Sequence, residues 1–278
     1  MRVEKAVITA AHKDQRALPL QTLVDRNGRE RSVLDILVEE VISTGIKDVC
    51  VVVWPGDGPR YAEAVGSNAG MVHFVDQPKP LGYADAIYCA RDFTGSEPFL
   101  HLVSDHLWVS SMTKPVAHRL VRLAEEEGCA ASAVQPTREN LLPRFGAVGG
   151  TRLPATQDVY HIHTVLEKPT PTEAEQRLIV SGLRAGYYLC FFGIHVLTGS
   201  VMQLLGESLR KRSNGPVTLS SVLAEHARRE RYLALQADGR RYDLGSRYGL
   251  LNAQLALALK GNDRDLVLSQ LIELLAEK

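Results

Sequence analysis

Four positions carry most of the chemistry this chain could perform. Asp105 follows the apolar run FLHLV in the tripeptide Ser-Asp-His. A short apolar run bounded by turn residues reads as a buried strand. A carboxylate at the C-terminal tip of such a strand stands where ligands bind in an open α/β sheet. Magnesium takes oxygen ligands and needs few protein carboxylates, because phosphate and water complete its shell. Asp is equally suited to a turn or a helix cap, which is the plainer role for Asp105. Asp243, in Tyr-Asp-Leu-Gly, offers a second carboxylate with the same alternative. Glu167 and Lys168 end the run TVLEKP. Successive strand residues face opposite ways, so both can meet one ligand only if the strand stops there. Pro169 is expected to hold Lys168 extended, and an ordinary solvated Glu–Lys pair is the alternative.

These residues need a scaffold, and the apolar pattern supplies one. Strands are expected at 5–10, 48–54, 72–75, 99–103 and 131–135, with helices at 33–44, 83–92 and 114–127 between them. The first helix has Ser32 as N-cap with Asp35 three residues on, close to a capping box. Its Val33, Leu34, Leu37, Val41 and Ile42 form one face, and Gly45 stops it. Short apolar strands joined by such helices imply an α/β fold with a doubly wound, mostly parallel sheet. The second half is less regular: longer strands at 145–150, 160–168 and 187–193, then helices near 197–208, 218–229, 247–259 and 264–276. We read residues 1–278 as one unit: a nucleotide-binding part (1–136), a β-rich extension (137–246) and C-terminal helices (247–278).

Composition narrows the class. Apolar residues make up 45% of the 278 and charged residues 23%, which argues against disorder. The formal net charge is zero, so no global attraction to nucleic acid or anionic membrane is expected. No run approaches ~18 uninterrupted apolar residues, so no membrane span is expected. The start MRVEKAVIT does not read as a signal peptide. Cys50, Cys89, Cys129 and Cys190 lie far apart in apolar surroundings, as reduced thiols of a cytoplasmic protein would.

In order along the chain, KAVITAA with Arg16 and Pro19, LVEEVISTGIKDV, QPKPLGYADAIYCA, LVSDH, RFGAVGG, VLEKP, RAGYY and YDLGSRYG resemble the bacterial UTP–glucose-1-phosphate uridylyltransferases, within the sugar-1-phosphate nucleotidyltransferases. The resemblance implies a Rossmann-like fold and a reaction between UTP and glucose 1-phosphate, assisted by Mg²⁺, that yields UDP-glucose and pyrophosphate. By it, Asp105 and Asp243 hold the metal, Glu167 the sugar hydroxyls and Lys168 the sugar phosphate. Gly186 and Gly146 let the backbone approach the hexose, although glycines in strands also mark bulges. Ala10 and Ala11 line the nucleotide site, and Gln77 and the Gly82 backbone read the uracil edge. Uracil presents two carbonyl acceptors and one N–H donor, which an amide and backbone groups complement. Arg16 follows the phosphate loop and would neutralise phosphate charge. Such chemistry is positioning and charge neutralisation, so no Ser, Cys or His nucleophile is required. Partners are then a nucleotide and a sugar phosphate, with no nucleic acid and no membrane, and the resemblance leaves room for a homo-oligomer.

The sequence departs from this pattern at the loop. Phosphate loops use glycine because only glycine visits positive φ cheaply; here His12, Lys13, Asp14 and Gln15 occupy the turn. Ala84 and Asp85 replace a glycine and a small or histidine residue. The resembled family also carries a Pro-Lys-x-x-Leu-Pro segment whose lysine would bind the α-phosphate; here the stretch is shortened to PLQTLVDRNGRERS, without that lysine, leaving Arg26, Arg29 or Arg31 as substitutes. Asp14 near a triphosphate is repulsive. The loop therefore favours a second reading: a weak or inactive homologue that binds nucleotide or sugar phosphate in a regulatory role. His161 and His163 alternate on a strand; two histidines alone make no metal site.

Overall fold

The computed structural model describes residues 1–110, 114–211 and 215–277. One nine-stranded sheet runs through the described chain in the order Val72–Asp76, Asp48–Val53, Lys5–Thr9, Phe99–Val103, Tyr187–Leu197, Ala130–Arg138, Tyr232–Gln236, Val159–Glu167, Gly146–Arg152. The first four strands are parallel, with Val7 opposite Cys50 on one side and His101 on the other. Tyr187–Leu197 then runs antiparallel to both Phe99–Val103 and Ala130–Arg138. Beyond it only Tyr232–Gln236 with Ala130–Arg138 is parallel. The sheet is mixed: four adjacent parallel strands from the first 103 residues, then an end in which Ala130–Arg138 pairs with strands from the second half.

Packing explains the apolar runs. Ala6, Val7, Ile8 and Val49 through Val53 are fully buried, as strands covered on both faces must be. Ala6 and Ile8 face a core with Leu34 and Leu37 of the helix Val33–Ile42 and Leu120 of Val116–Glu127. Val7 faces the other core, with Ile87 of Tyr83–Cys89, Leu205 of Gly199–Arg210 and Val222 of Leu219–Arg229. This alternation is the strand period of two. Ser32 caps its helix by accepting from the Asp35 N–H at 2.9 Å. Asp35 does not close the capping box, because Arg31 Nε takes its carboxylate at 2.6 Å.

Three details bear on the site. The expected helix 83–92 is broken at Ala90 into Tyr83–Cys89 and Arg91–Thr94. Two short strands, His106–Val109 and Arg240–Asp243, pair antiparallel with Asp243 opposite His106. They were not legible in the hydropathy pattern, since RRYD has no apolar alternation. Finally, the helix Arg264–Ala276 buries none of its residues.

Candidate active site

The C-terminal ends of the parallel strands open onto a two-lobed cleft. One lobe, about 490 Å³, is lined by Thr9 through Gln15, Gln77, Gly82, Tyr83, Ser104, Asp105 and His106. The other, about 340 Å³, is lined by Gly146, Phe191, Gly193, His195, Thr218, Ser220 and Arg241. Gly82, Tyr83, Val103, His106, Arg144, Glu167 and Lys168 line both. The cleft is continuous across this strip.

Asp105 sits between the strands Phe99–Val103 and His106–Val109, at a strand tip and not at a helix cap. His106 Nδ1 is 2.6 Å from its Oδ1, and a carboxylate only accepts, so the imidazole donates. Burial acts to raise the Asp105 carboxyl. The hydrogen bond and charge of His106, with a smaller contribution from His12, outweigh it and hold the carboxyl below its usual range. The Asp105 carbonyl accepts from the Leu244 N–H at 2.9 Å, which ties the segment carrying Asp243 to Asp105, although Asp243 itself lines neither lobe. Asp243 Oδ1 accepts from the Gly245 N–H at 3.0 Å, an Asx turn. Both carboxylates are thus anchored by donors, and hard oxygen donors of this kind suit Mg²⁺, which leaves its other positions to phosphate and water; Asp105 is the one of the two that lines the cleft.

Val159–Glu167 ends at Glu167, so Glu167 and Lys168 both reach the cleft as the strand-end argument required. The extended backbone expected at Lys168 is not found. Its φ is +46°, a left-handed conformation costly for a residue with a Cβ. The pairing explains this: Glu167 is the last residue opposite Gly146, and the Lys168 N–H turns to the Phe145 carbonyl at 3.2 Å. Ser220 donates to the Glu167 carboxylate. A Cβ on Gly146 would collide with the Ser220 hydroxyl and stand 2.8 Å from the Phe191 ring, so only glycine fits.

Among the remaining expected residues, Ala10, Ala11, Gln77 and Gly82 line the lobe bounded by Thr9–Gln15. Arg16 does not line it: its guanidinium pairs with Asp57 at 3.4 Å and lies over Trp54. Gly186 lies in a separate depression with Arg138 and Arg184. Of the substitute cations, Arg31 is held by Asp35 and Glu39, and Arg26 Nη2 donates to the Ser110 carbonyl; neither they nor Arg29 lines the cleft. Lys13 and Arg144 do, and sequence reasoning passed over both. The loop itself closes without glycine. Gln15 N–H meets the His12 carbonyl at 3.1 Å, and the buried Tyr61 hydroxyl donates to the Arg16 carbonyl at 2.6 Å. Its residues need no positive φ.

Beneath the strip lies a polar core that the hydropathy pattern concealed. His101, fully buried, lies 3.3 Å from both the Tyr83 hydroxyl and Thr9 Oγ1. His195 contacts Ser132 Oγ at 2.6 Å, and burial pushes its imidazole down to about 3. Arg241 lies 3.6 Å over the Phe145 ring and donates to the Phe191 carbonyl. Burial lowers its guanidinium to about 10 despite nearby Asp243 and Asp105. His161 and His163 stack edge to face on the exposed strand surface, with His163 beside Thr151.

The sequence pattern of the nucleotidyl transferase family matches residues 20–259. The chain belongs to this family. Among curated relatives, the UTP–glucose-1-phosphate uridylyltransferase YngB of Bacillus subtilis (strain 168) is 25% identical over 286 residues, covering 93% of this chain and 90% of that protein. A UTP–glucose-1-phosphate uridylyltransferase of Streptococcus pyogenes serotype M3 is 25% identical over 288 residues, covering 93% and 91%. Two solved structures share the nucleotidyltransferase fold. UDP-glucose pyrophosphorylase complexed with UDP-glucose superimposes with TM-score 0.75 at 22% identity, covering 91% of this chain and 98% of that one. The UTP-bound enzyme of Acinetobacter baumannii gives 0.75 at 21% identity, covering 97% and 98%.

Proposed function

We propose that this nucleotidyltransferase makes UDP-glucose and pyrophosphate from UTP and glucose 1-phosphate. The observation that carries the reading is the two-lobed cleft, with Glu167 and Lys168 at the junction of its lobes and Asp105 in the Thr9–Gln15 lobe, next to the junction residue His106. The nucleotide occupies the Thr9–Gln15 side, its base toward Gln77 and Gly82. The sugar occupies the Gly146–Ser220 side, with Glu167 on its hydroxyls and Lys168 on its phosphate. A phosphate oxygen of the sugar attacks the nucleotide α-phosphorus in line; that P–O bond forms as the bond to pyrophosphate breaks. No proton has to be transferred, so the protein's task is orientation and charge neutralisation.

Asp105 and Asp243 would hold a Mg²⁺, which supplies charge neutralisation on the phosphates when bound. Lys13 and Arg144 add positive charge at the cleft, while Arg16 steadies the loop through Asp57. His195, neutral at pH 7, serves the sugar lobe as an uncharged polar wall. The four free cysteines fit a reducing, cytoplasmic setting. No helix among the described residues is long and apolar enough to cross a membrane. The helix Arg264–Ala276, with Leu266, Ile272, Leu274 and Leu275 exposed, is the surface on which a homo-oligomer would form.

A second reading, a weakly active or inactive homologue acting through binding alone, is favoured by one observation: Asp14 lines the phosphate side of the cleft. Pyrophosphate release measured across nucleoside triphosphates and sugar 1-phosphates decides between them. Release that requires both UTP and glucose 1-phosphate supports the enzyme; binding of both without release supports the second reading.

A further inference from the structure

Gln77 stands in the nucleotide lobe with an amide whose orientation is fixed. Its Nε2 donates to the Gly82 carbonyl at 3.1 Å and to Asp85 Oδ2 at 2.8 Å. A carbonyl and a carboxylate both accept, so the amide cannot turn over without setting its oxygen against two others. Both of its N–H groups are spent inside the protein. Its Oε1 makes no hydrogen bond to any described residue, and Gln77 lines the lobe. The protein partner that holds this arrangement from the helix Tyr83–Cys89 is Asp85. The other partner, Gly82, has φ +109°, a conformation suited to glycine. A base meeting Gln77 therefore meets a pure acceptor.

We propose that Asp85 sets base specificity by locking Gln77 in this orientation, so that the lobe selects nucleoside triphosphates whose base carries a ring N–H. Uracil and thymine offer N3–H, and guanine offers N1–H. Cytosine N3 and adenine N1 present a lone pair at the same place on the edge, which opposes Oε1 and leaves two acceptors facing each other. A site built around one hydrogen bond rejects the analogue that lacks the donor, because its own polar group is left unpaired. The inference rests on the reading that this lobe takes a nucleotide base, and it adds a residue and a rule of discrimination to that reading.

The test is equilibrium titration of the full chain, in Mg²⁺ and without sugar phosphate, with UTP, dTTP and CTP. Two pyrimidines with N3–H are thereby compared with one of equal size that lacks it. Wild type is expected to bind UTP and dTTP at least about tenfold more tightly than CTP. Asp85→Ala frees the amide to turn over and should bring UTP and CTP within about threefold of each other. Asp85→Asn, nearly isosteric and able either to accept from Gln77 or to donate to it, should fall between. Thermal melting of each variant checks that it is folded. If Asp85 only supports the helix, its variants weaken UTP and CTP alike; an unchanged ratio overturns the proposal. Equal binding of UTP and CTP by wild type overturns it too, and leaves the nucleotide reading standing. Failure of every nucleotide to bind overturns both.

Discussion

The two lobes of the cleft share one strip of residues but are walled by different means. On the side proposed for the sugar the wall is packed backbone: Gly146 is pressed against Phe191 and Ser220, and Ser220 is bonded in turn to Glu167. On the side proposed for the nucleotide it is a surface turn of exposed His12, Lys13 and Asp14, held from below by Tyr61. Shape decides what enters the first; charge decides what enters the second. Packed walls fail abruptly when atoms are added, whereas exposed charges are screened by water and salt and tune affinity in small steps. The departures of this chain from the family pattern are concentrated where changes are cheap.

The largest expected effect lies beside the junction, at Asp105. Asp105→Asn should lower turnover by at least about a hundredfold, with little change in melting temperature, because it removes transition-state charge stabilisation and keeps the shape. Wild-type turnover in this variant would detach the metal assignment from Asp105. Lys168→Ala should raise the KM for sugar phosphate by about ten- to a hundredfold through loss of a charge-assisted contact of about 1.5–3 kcal/mol. It should spare the KM for nucleotide; equal effects on both substrates would dissolve the division of labour between the lobes.

Gly146→Ala tests the packed wall itself. Overpacking of this kind costs about 1–3 kcal/mol, so both melting temperature and sugar-phosphate affinity should drop. An unaltered protein would mean that Ser220 and Phe191 can give way. The polar core below the strip makes stability pH-dependent. Burial holds His101 and His195 below the usual histidine range, so the unfolded chain binds protons that the folded chain does not. Stability is therefore greatest above pH ~6.5 and falls on acidification, by up to about 1.4 kcal/mol per pH unit for each histidine. For His195 the fall continues until the pH reaches its folded value of about 3. Denaturant unfolding between pH 7 and 5 should show this slope, and His195→Gln should flatten it; a slope unchanged by the substitution would remove His195 from the account. The smallest effect belongs to the loop. Asp14→Gly should tighten UTP binding only severalfold, since an exposed carboxylate is well screened. A change of a hundredfold would show that Asp14 points directly at phosphate.

Much of this architecture was legible in the sequence because it rests on local pattern. Asp105 stands just past the end of Phe99–Val103, and Val159–Glu167 ends in Glu167, as apolar runs followed by charged residues suggested. Long-range pairing was not legible. The strand that delivers Asp243 is Arg-Arg-Tyr-Asp, with no alternation of its own, and it exists because it pairs with His106–Val109. The cations were misjudged for the same reason. Arg26, Arg29 and Arg31 are near the loop in sequence, but the fold gives Arg31 to two carboxylates and brings Arg144 to the cleft from the far side of the chain. Lys168 was expected to be extended on the strength of one neighbour, Pro169, and the end of the strand pairing prevailed. His101 read as a strand residue; only its distances to Thr9 and Tyr83 show that it ties the cleft floor to its wall.

The central claim is direct transfer between the two lobes, with no covalent intermediate on the protein. Exchange of labelled pyrophosphate into UTP tests it most directly, since exchange requires that the bond to pyrophosphate break and re-form. Direct transfer predicts exchange only when glucose 1-phosphate is present, and its loss in Asp105→Asn. Exchange without any sugar phosphate would reveal a nucleotidylated side chain and contradict the account; no exchange with both substrates present would contradict the activity itself.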